Sequence, residues 1–445
     1  MEKQWSEMTK EEKRDQRMEK YISGEGIKFR DARAEKMYKE RVTRSVKANR
    51  CEEPDRVPVT LPTGHYPAYY AGHNFKECMY DANILRECWV KFMEDFYDDM
   101  DSYMGPGLVH SGKVMEIMDY KTYTWPGHGT GDDVTTYQYV EAQYMKADEY
   151  DQLLADPSDY GFRVLTPRTM GAAAGLSYFP QLSSFMGMPN VLTNPFARPE
   201  VRETFKKCIE AGEYQEYWQG ELASIAREIN EAGFPAGRGG MGIAPFDVIG
   251  DFLRGTEGIA IDMFRKPEQL LEACDMICEQ YIPRTIASVN ATGGHSVGFP
   301  LHRGDDTFMS RKQFEKFYWP TLKQIINALI EEGINVSLFA EGAYNQRLDY
   351  IGDFPKGWVS WQFDQTDMAA AKKAIGDRCC ITGNVPASAM IAGTPEDVKK
   401  HCIRLLEACA PGGGYVLAGG CSATETKNPD NFRAFMEAAK EYGVY

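Results

Sequence analysis

The segment beginning Val336-Ser-Leu-Phe-Ala-Glu341-Gly and ending at Cys421 contains short apolar runs that each end in a polar residue. The ends of four such runs read Phe339-Ala-Glu341, Phe363-Asp364, Ile381-Thr-Gly-Asn384 and Gly419-Gly-Cys421. If the runs are parallel strands of one barrel, their last residues meet on the rim where a (β/α)8 enzyme has its active site. Glu341, Asp364, Asn384 and Cys421 are therefore candidate site residues.

Helical patterns alternate with these runs from about residue 255. Ser310-Arg-Lys-Gln313 is a capping box, after which apolar residues recur at helical spacing as far as Gly333. A second helix is predicted to begin after Thr394, with Pro395 in its first turn. Such alternation predicts parallel βαβ units. Polar residues at nearly every strand end favour an α/β fold of the (β/α)8 TIM barrel type over a doubly wound sheet.

The chain divides into an extension and one domain. Residues 1–50 are dense in charged residues and predict an N-terminal helical extension. Residues 51–445 contain no linker-like stretch and are interpreted as the barrel, with a first strand over Arg56–Leu61. Several prolines interrupt residues 150–235, which predicts an irregular helical insertion there.

Composition excludes several classes of function. The 445 residues include 65 acidic and 50 basic side chains, a formal charge of −15, which opposes binding to nucleic acid or to an anionic membrane. A small molecule or a protein partner fits better. No apolar run is long enough to span a bilayer, and the 11 cysteines have no framework spacing. We therefore expect a cytoplasmic protein with free thiols.

Two glycine-containing patterns suggest other functions, and both lack the required context. Gly237-Arg-Gly-Gly-Met-Gly242 matches a dinucleotide-binding fingerprint, but a proline and an apolar strand-like stretch follow where a helix is required. Gly294-His-Ser-Val-Gly298 matches a nucleophile elbow, which must turn directly into a helix. The residues after Gly298 predict a continuing strand instead.

The loop His302-Arg303-Gly-Asp305-Asp306 precedes the helix capped by Ser310. Its polar residues lie on the predicted rim, so His302, Arg303 and Asp305 join the candidate site. The alternative is structural: Asp305 or Asp306 stabilises the helix start, and Arg303 pairs with it. His302, Glu341 and Cys421 together offer a mixed ligand set for a zinc ion.

Over roughly residues 50 to 445 the chain resembles the uroporphyrinogen decarboxylase superfamily, which includes the decarboxylases of haem synthesis and zinc-dependent cobalamin methyltransferases. The motifs that carry the resemblance are Leu338-Phe-Ala-Glu-Gly342, Phe363-Asp364, Gly383-Asn-Val-Pro386 and Asn428-Pro-Asp-Asn431. Thr63-Gly-His65-Tyr66-Pro67 resembles a substrate-binding loop of the decarboxylases, with His65 in place of their carboxylate-binding arginine. The methyltransferases have His-x-Cys-Gly where this chain has Phe339-Ala-Glu341-Gly, whereas Cys421 fits their later cysteine.

The resemblance implies a TIM-barrel methyltransferase of one-carbon metabolism. It would move a methyl group between a small substrate, a methyl ether or methylamine, and a corrinoid held by a separate protein. In this hypothesis Glu341, His302 and Asp364 are catalytic, and His302, Glu341 and Cys421 bind zinc. The substrate-binding residues are His65, Tyr66, Arg303, Asp305 and Asn384. The alternatives are a decarboxylase of a small carboxylated substrate bound by Arg303, and a non-catalytic barrel that binds corrinoid or a partner. A homodimer remains open.

Overall fold

A computed structural model describes residues 3–132, 134–184, 187–235 and 239–445. Its strands are β1 (Thr60–Leu61), β2 (Ser102–Tyr103), β3 (Tyr123–Pro126), β4 (Gly129–Thr130), β5 (Gln138–Tyr139), β6 (Gly239–Met241), β7 (Ser296–Leu301), β8 (Asn335–Ala340), β9 (Val359–Phe363), β10 (Cys380–Thr382) and β11 (Tyr415–Val416). Strands β3, β4 and β5 form a separate small sheet.

The main sheet consists of parallel strands in the order β6-β7-β8-β9-β10-β11. Strands β1 and β2 pair in parallel and extend this order beyond β11, because Val59 bridges Leu417 and the Thr60 amide donates to the Leu417 carbonyl at 3.0 Å. Strands β2 and β6 line one cavity through Ser102, Tyr103 and Gly239, although no hydrogen-bonded pair joins them within the described residues. The predicted parallel α/β fold is confirmed.

Helices surround the sheet on its outer side. The first ten are α1 (Lys10–Ser23), α2 (Ala32–Asn49), α3 (Tyr66–Tyr70), α4 (Phe75–Tyr80), α5 (Ala82–Asp95), α6 (Gly112–Ile117), α7 (Tyr150–Ala155), α8 (Pro157–Asp159), α9 (Thr166–Thr169) and α10 (Pro189–Thr193). The others are α11 (Pro199–Glu231), α12 (Pro245–Ile249), α13 (Gly255–Arg265), α14 (Pro267–Thr292), α15 (Arg311–Gln313), α16 (Trp319–Glu331), α17 (Met368–Ile375), α18 (Ala387–Ala392), α19 (Pro395–Cys409) and α20 (Asp430–Tyr442).

Both predicted helix starts are confirmed by reciprocal capping bonds. The Ser310 amide donates to Gln313 Oε1 at 2.9 Å, and the Gln313 amide donates back to Ser310 Oγ. Thr394 and Asp397 form the same arrangement before α19. The helix after Ser310 continues through a π-helical turn, Phe314–Tyr318, into α16, whose apolar face is buried.

The region 150–235, predicted as an irregular helical insertion, contains short helical segments as far as Ala197 and then α11, a single helix of 33 residues. Two other local predictions differ from the structure. The first strand is limited to Thr60–Leu61, because Pro58 has no amide hydrogen to donate to a neighbouring strand. A helix, α12, begins at Pro245 where a strand-like stretch was expected, since proline suits the first turn of a helix. Within the glycine pattern before it, Gly237 and Arg238 lie outside the described residues.

The N-terminal extension packs against the end of the sheet where the strands begin. Arg17 of α1 donates to the Gly294 carbonyl at 3.0 Å and to Asn290 Oδ1 at 2.6 Å, just before β7. Ala48 of α2 packs with Cys380 and Val416 of β10 and β11. None of the described helices is both long and apolar enough to cross a membrane. All 11 cysteines are free, as the sequence predicts.

Candidate active site

The predicted rim residues follow consecutive strands of the main sheet. Glu341 comes directly after β8, Asp364 directly after β9, and Asn384 two residues after β10. Cys421 lies in the loop after β11. Because the strands are parallel, all four residues lie at the carboxyl end of the sheet.

Backbone and amide contacts join these loops. Asp364 Oδ2 accepts a hydrogen bond from the Gly342 amide at 3.1 Å, which ties the loop after β9 to that after β8. Asn384 Nδ2 donates to the carbonyls of Asp364, at 3.0 Å, and Thr366, at 2.8 Å. The amide nitrogen of Asn384 therefore positions the neighbouring loop.

Glu341 occupies the centre of a cluster of charges. Its side chain is open to the cleft, yet the enclosing protein atoms desolvate the carboxyl and raise its pKa above the ordinary value. The negative charges of Asp364 and Asp305 raise that pKa further, whereas His302 and Arg303 oppose the shift. The protonated acid is thus favoured at Glu341 more than at an exposed glutamate.

The loop carrying His302 and Arg303 is held by two aspartates that follow β6. Asp251 Oδ2 lies 2.7 Å from His302 Nδ1, and its other oxygen accepts a hydrogen bond from the Arg303 guanidinium. Arg303 also donates to Thr256 Oγ1 at 3.0 Å. Both the Arg303 and Asp251 side chains are about nine-tenths buried, so the cation is neutralised inside the protein.

Asp247 fixes the backbone of the same loop. Its fully buried carboxylate accepts hydrogen bonds from the amides of His302, at 3.0 Å, and Arg303, at 3.1 Å. Tyr318 donates to it from the outer helix at 2.5 Å. Burial raises the pKa of Asp247, while these donors and the nearby cations favour its ionised form.

Asp305 and Asp306 make structural contacts, but neither caps the following helix, whose N-cap is Ser310. Asp305 accepts hydrogen bonds from the amides of Thr307, at 3.0 Å, and Phe308, at 3.1 Å, so its carboxylate shapes the turn. Asp306 pairs with the buried Arg347 at 3.1 Å. The expected pairing of Arg303 with either of them is wrong, because Arg303 bonds Asp251.

The predicted zinc ligands do not form a ligand set. Within the described parts of the chain, no group of three or more His, Cys, Asp or Glu side chains is arranged to hold a metal ion. Cys421 is hydrogen-bonded to Asp364, and burial raises the pKa of its thiol to about 12, with further raising by Asp364 and Glu341. As they are placed, His302, Glu341 and Cys421 are not arranged around one metal position. Zinc binding by these residues stays a prediction.

His65 and Tyr66 lie beside the site rather than within the charged cluster. The His65 ring stacks on Phe75 at 3.9 Å, and burial lowers its pKa to about 4, which favours neutral imidazole. Its backbone amide donates to Thr424 Oγ1 at 3.1 Å, next to the Cys421 loop. Tyr66 packs on Phe432 at 4.8 Å and is a core residue.

Sequence reasoning missed Asp247 and Asp251. They are four residues apart, and both reach the loop after β7 from the segment after β6. Their spacing, one helical turn after a strand, was the available signal. This spacing alone does not predict a functional site, because the sequence does not show the contact with the His302 loop.

Comparison with known proteins gives this site a family. Residues 194–442 match the sequence model of a family described as uroporphyrinogen decarboxylase (URO-D). The chain belongs to the URO-D family. It is 25% identical over 187 residues to the uroporphyrinogen decarboxylase of Pseudoalteromonas translucida (strain TAC 125), covering 41% of this chain and 51% of that protein. It is 26% identical over 196 residues to the enzyme of the same name from Cellvibrio japonicus (strain Ueda107), covering 43% and 52%.

The chain thus spans about half the length of the curated relatives it matches, 51% and 52% for these two. A solved structure titled methyltransferase from Methanosarcina mazei is similar to 90% of this URO-D family chain and 98% of its own, with a TM-score of 0.57 and 16% identity. That likeness concerns the fold.

Proposed function

We propose that this URO-D family protein is a methyltransferase that moves a methyl group between a small methylated substrate and a corrinoid carried by a separate protein. The proposal includes closure of the eight strands into a TIM barrel, with the reaction at its carboxyl rim. One observation carries it: the rim concentrates acids around Glu341, and the Arg303 guanidinium beside them is bound to Asp251.

The balance of charges on the rim favours methyl transfer over decarboxylation. Asp305 and Asp364 supply negative charge, and the Arg303 guanidinium is bound to Asp251. A substrate carboxylate entering the rim would meet acids whose repulsion a neutralised Arg303 does not offset. A neutral methyl ether or a methylated amine meets no such repulsion.

Glu341 can serve as the proton donor of the reaction. When a methyl group leaves an oxygen or nitrogen, the bond from carbon to that heteroatom breaks and its electrons remain on the heteroatom. A proton from Glu341 converts the departing alkoxide or amide into an alcohol or amine, which is a far better leaving group. A raised pKa suits this task, because it keeps the acid protonated nearer to neutral pH.

The other rim residues bind and orient the substrate. Asp251 holds His302 through Nδ1, which leaves Nε2 as the ring atom able to contact the substrate heteroatom. The Asn384 oxygen and the Asp364 carboxylate limit the orientations open to a bound molecule. The corrinoid, when its carrier protein docks, supplies the nucleophile that takes the methyl group. No step is assigned to zinc.

The test is a methyl-transfer assay with the whole protein. Reduced cobalamin is offered together with a panel of methyl ethers and methylamines, and methylation of the corrinoid is followed by its visible absorbance. We expect turnover with at least one neutral or amine donor. The absence of methylated corrinoid with every donor, in the presence and absence of added zinc, would overturn the proposal.

Decarboxylation is the second candidate, because the matched relatives are named uroporphyrinogen decarboxylase. It requires Arg303 to exchange Asp251 for a substrate carboxylate and an acid such as Glu341 to protonate the product carbon. Carbon dioxide released from a panel of small carboxylated compounds would favour this reaction. We expect none above the uncatalysed background.

A further inference from the structure

A second cavity lies inside the sheet, toward the amino-terminal ends of the strands. Its volume is about 240 Å³, and its lining includes side chains from β1, β7, β8, β9 and β10 as well as from α1 and α2. This cavity shares no lining residue with the charged rim. It is independent of the proposed methyl transfer.

The interior of the sheet is hollow at this level. Ser337 is exposed in the middle of β8, between the buried Val336 and Leu338, although β8 is a central strand of the sheet. Barrel interiors are usually filled by layers of bulky branched side chains. Here the corresponding side chains are small or polar: Thr60, Ser296, Ser337, Ser360, Gln362 and Thr382.

The N-terminal extension forms the floor of this cavity. Met18 and Tyr21 of α1 and Asn49 of α2 line it from below. The Tyr21 ring lies 4.0 Å from that of His295, which precedes β7. At the upper end, Gln362 Nε2 donates to the Gly419 carbonyl at 3.4 Å, so the cavity ends one layer beneath the rim.

The lining is polar but carries no Asp, Glu, Lys or Arg. One of its acceptors, Asn335 Oδ1, is buried without a hydrogen-bond partner among the described residues, in a side chain whose residue is only 9% exposed. An unsatisfied buried acceptor destabilises the folded protein. A donor that enters the cavity and bonds this oxygen would remove that destabilisation.

We propose that this cavity is a binding site for a small, uncharged, polyhydroxylated molecule. Hydroxyl groups both donate and accept, so they match a lining of serines, threonines and amides and can donate to Asn335. A charged ligand would lose its hydration without gaining an ionic partner. The volume equals that of roughly eight liquid waters, which admits polyols of the size of erythritol or xylitol.

The test measures binding to the full-length protein by calorimetry, with glycerol, erythritol and xylitol as probes and the anion glycerate as the charged comparison. We expect saturable 1:1 binding of a neutral polyol and no binding of glycerate. Asn335→Leu and Thr382→Val should each weaken polyol binding at least tenfold. The matched control is Ser177→Ala, which removes an exposed hydroxyl outside the cavity. This variant should bind the polyol as the wild type does.

Several results would overturn the proposal. These are the absence of saturable polyol binding, equal binding of glycerate, and unchanged affinity in both cavity variants. Thermal unfolding and circular dichroism of each variant show whether it has folded. If Asn335→Leu fails to fold, Thr382→Val decides, because valine has nearly the shape of threonine. A crystal soaked in the tightest polyol that shows only water in the cavity also counts against the site.

Discussion

The two ends of the parallel strands have opposite chemistry. At the carboxyl end, neighbouring charges shift the pKa of Glu341, and they belong to His302, Arg303 and Asp364. At the amino end, the strands surround a cavity lined by hydroxyl and amide groups. We therefore expect reactions that need protons or charge at the rim alone, and the predictions below test that division.

The largest effect is expected from Glu341→Gln. Glutamine keeps the size of the side chain but cannot donate the proton, so kcat for methyl transfer should fall by about 10²–10⁴-fold. The same corrinoid assay measures it. Glu441→Gln is the control, because Glu441 is an exposed acid that pairs with Lys399 on the outer helices. A Glu341→Gln enzyme with nearly full activity would remove the general acid from the mechanism.

Asp251→Asn should lower the free energy of unfolding. The substitution leaves the Arg303 cation buried without its partner, and the free energy of unfolding should fall by about 3–5 kcal/mol. Urea unfolding measures the difference. Asp430→Asn breaks the exposed pair with Arg433 and should cost no more than about 1 kcal/mol. Equal losses in the two variants would show that the Asp251 pair is not buried in solution.

The raised pKa of Glu341 predicts a pH-dependent contribution to stability. The folded protein binds this proton more tightly than the unfolded chain, whose pKa is near 4.5. Wild type should therefore lose stability relative to Glu341→Gln as the pH rises from about 4.5 through the folded pKa. Urea unfolding at a series of pH values tests the sign. A difference that grows in favour of wild type with rising pH would mean that the pKa is lowered.

The smallest effect is expected at Cys421. Because burial and neighbouring acids keep its thiol protonated, with a pKa of about 12, iodoacetamide should alkylate it far more slowly than glutathione near pH 8. Cys421→Ser should likewise change methyl transfer little. Rapid alkylation at this residue, located by mass spectrometry, would reveal a thiolate and reopen metal binding at the rim.

The sequence predicts the positions of the rim residues because the pattern that marks them involves only neighbouring residues. A polar residue directly after an apolar run identifies Glu341 and Asp364, and the reciprocal caps at Ser310 and Thr394 need only residues three apart. The resemblance to the URO-D family, stated on short motifs, is confirmed over residues 194–442.

What the sequence does not reveal depends on contacts between distant segments. The pairing of Asp251 with Arg303 joins residues 52 positions apart, and nothing near Arg303 distinguishes Asp251 from Asp305 as its partner. The zinc trio shows the same difficulty, since three suitable residue types do not imply a shared centre, and none is arranged among the described residues. The cavity floor joins α1 and α2 to β8, β9 and β10, which follow them by more than 280 residues, and no short motif marks it.

Asp247 holds the rim loop through its backbone and not through its side chains. It holds the loop by the amides of residues 302 and 303, which every amino acid except proline possesses. Replacements at these two positions can therefore change the reacting groups without moving the backbone that carries them. In evolutionary terms, the side chains at residues 302 and 303 can change while Asp247 keeps the loop backbone in place. This is one physical route by which a single family acquires different chemistries.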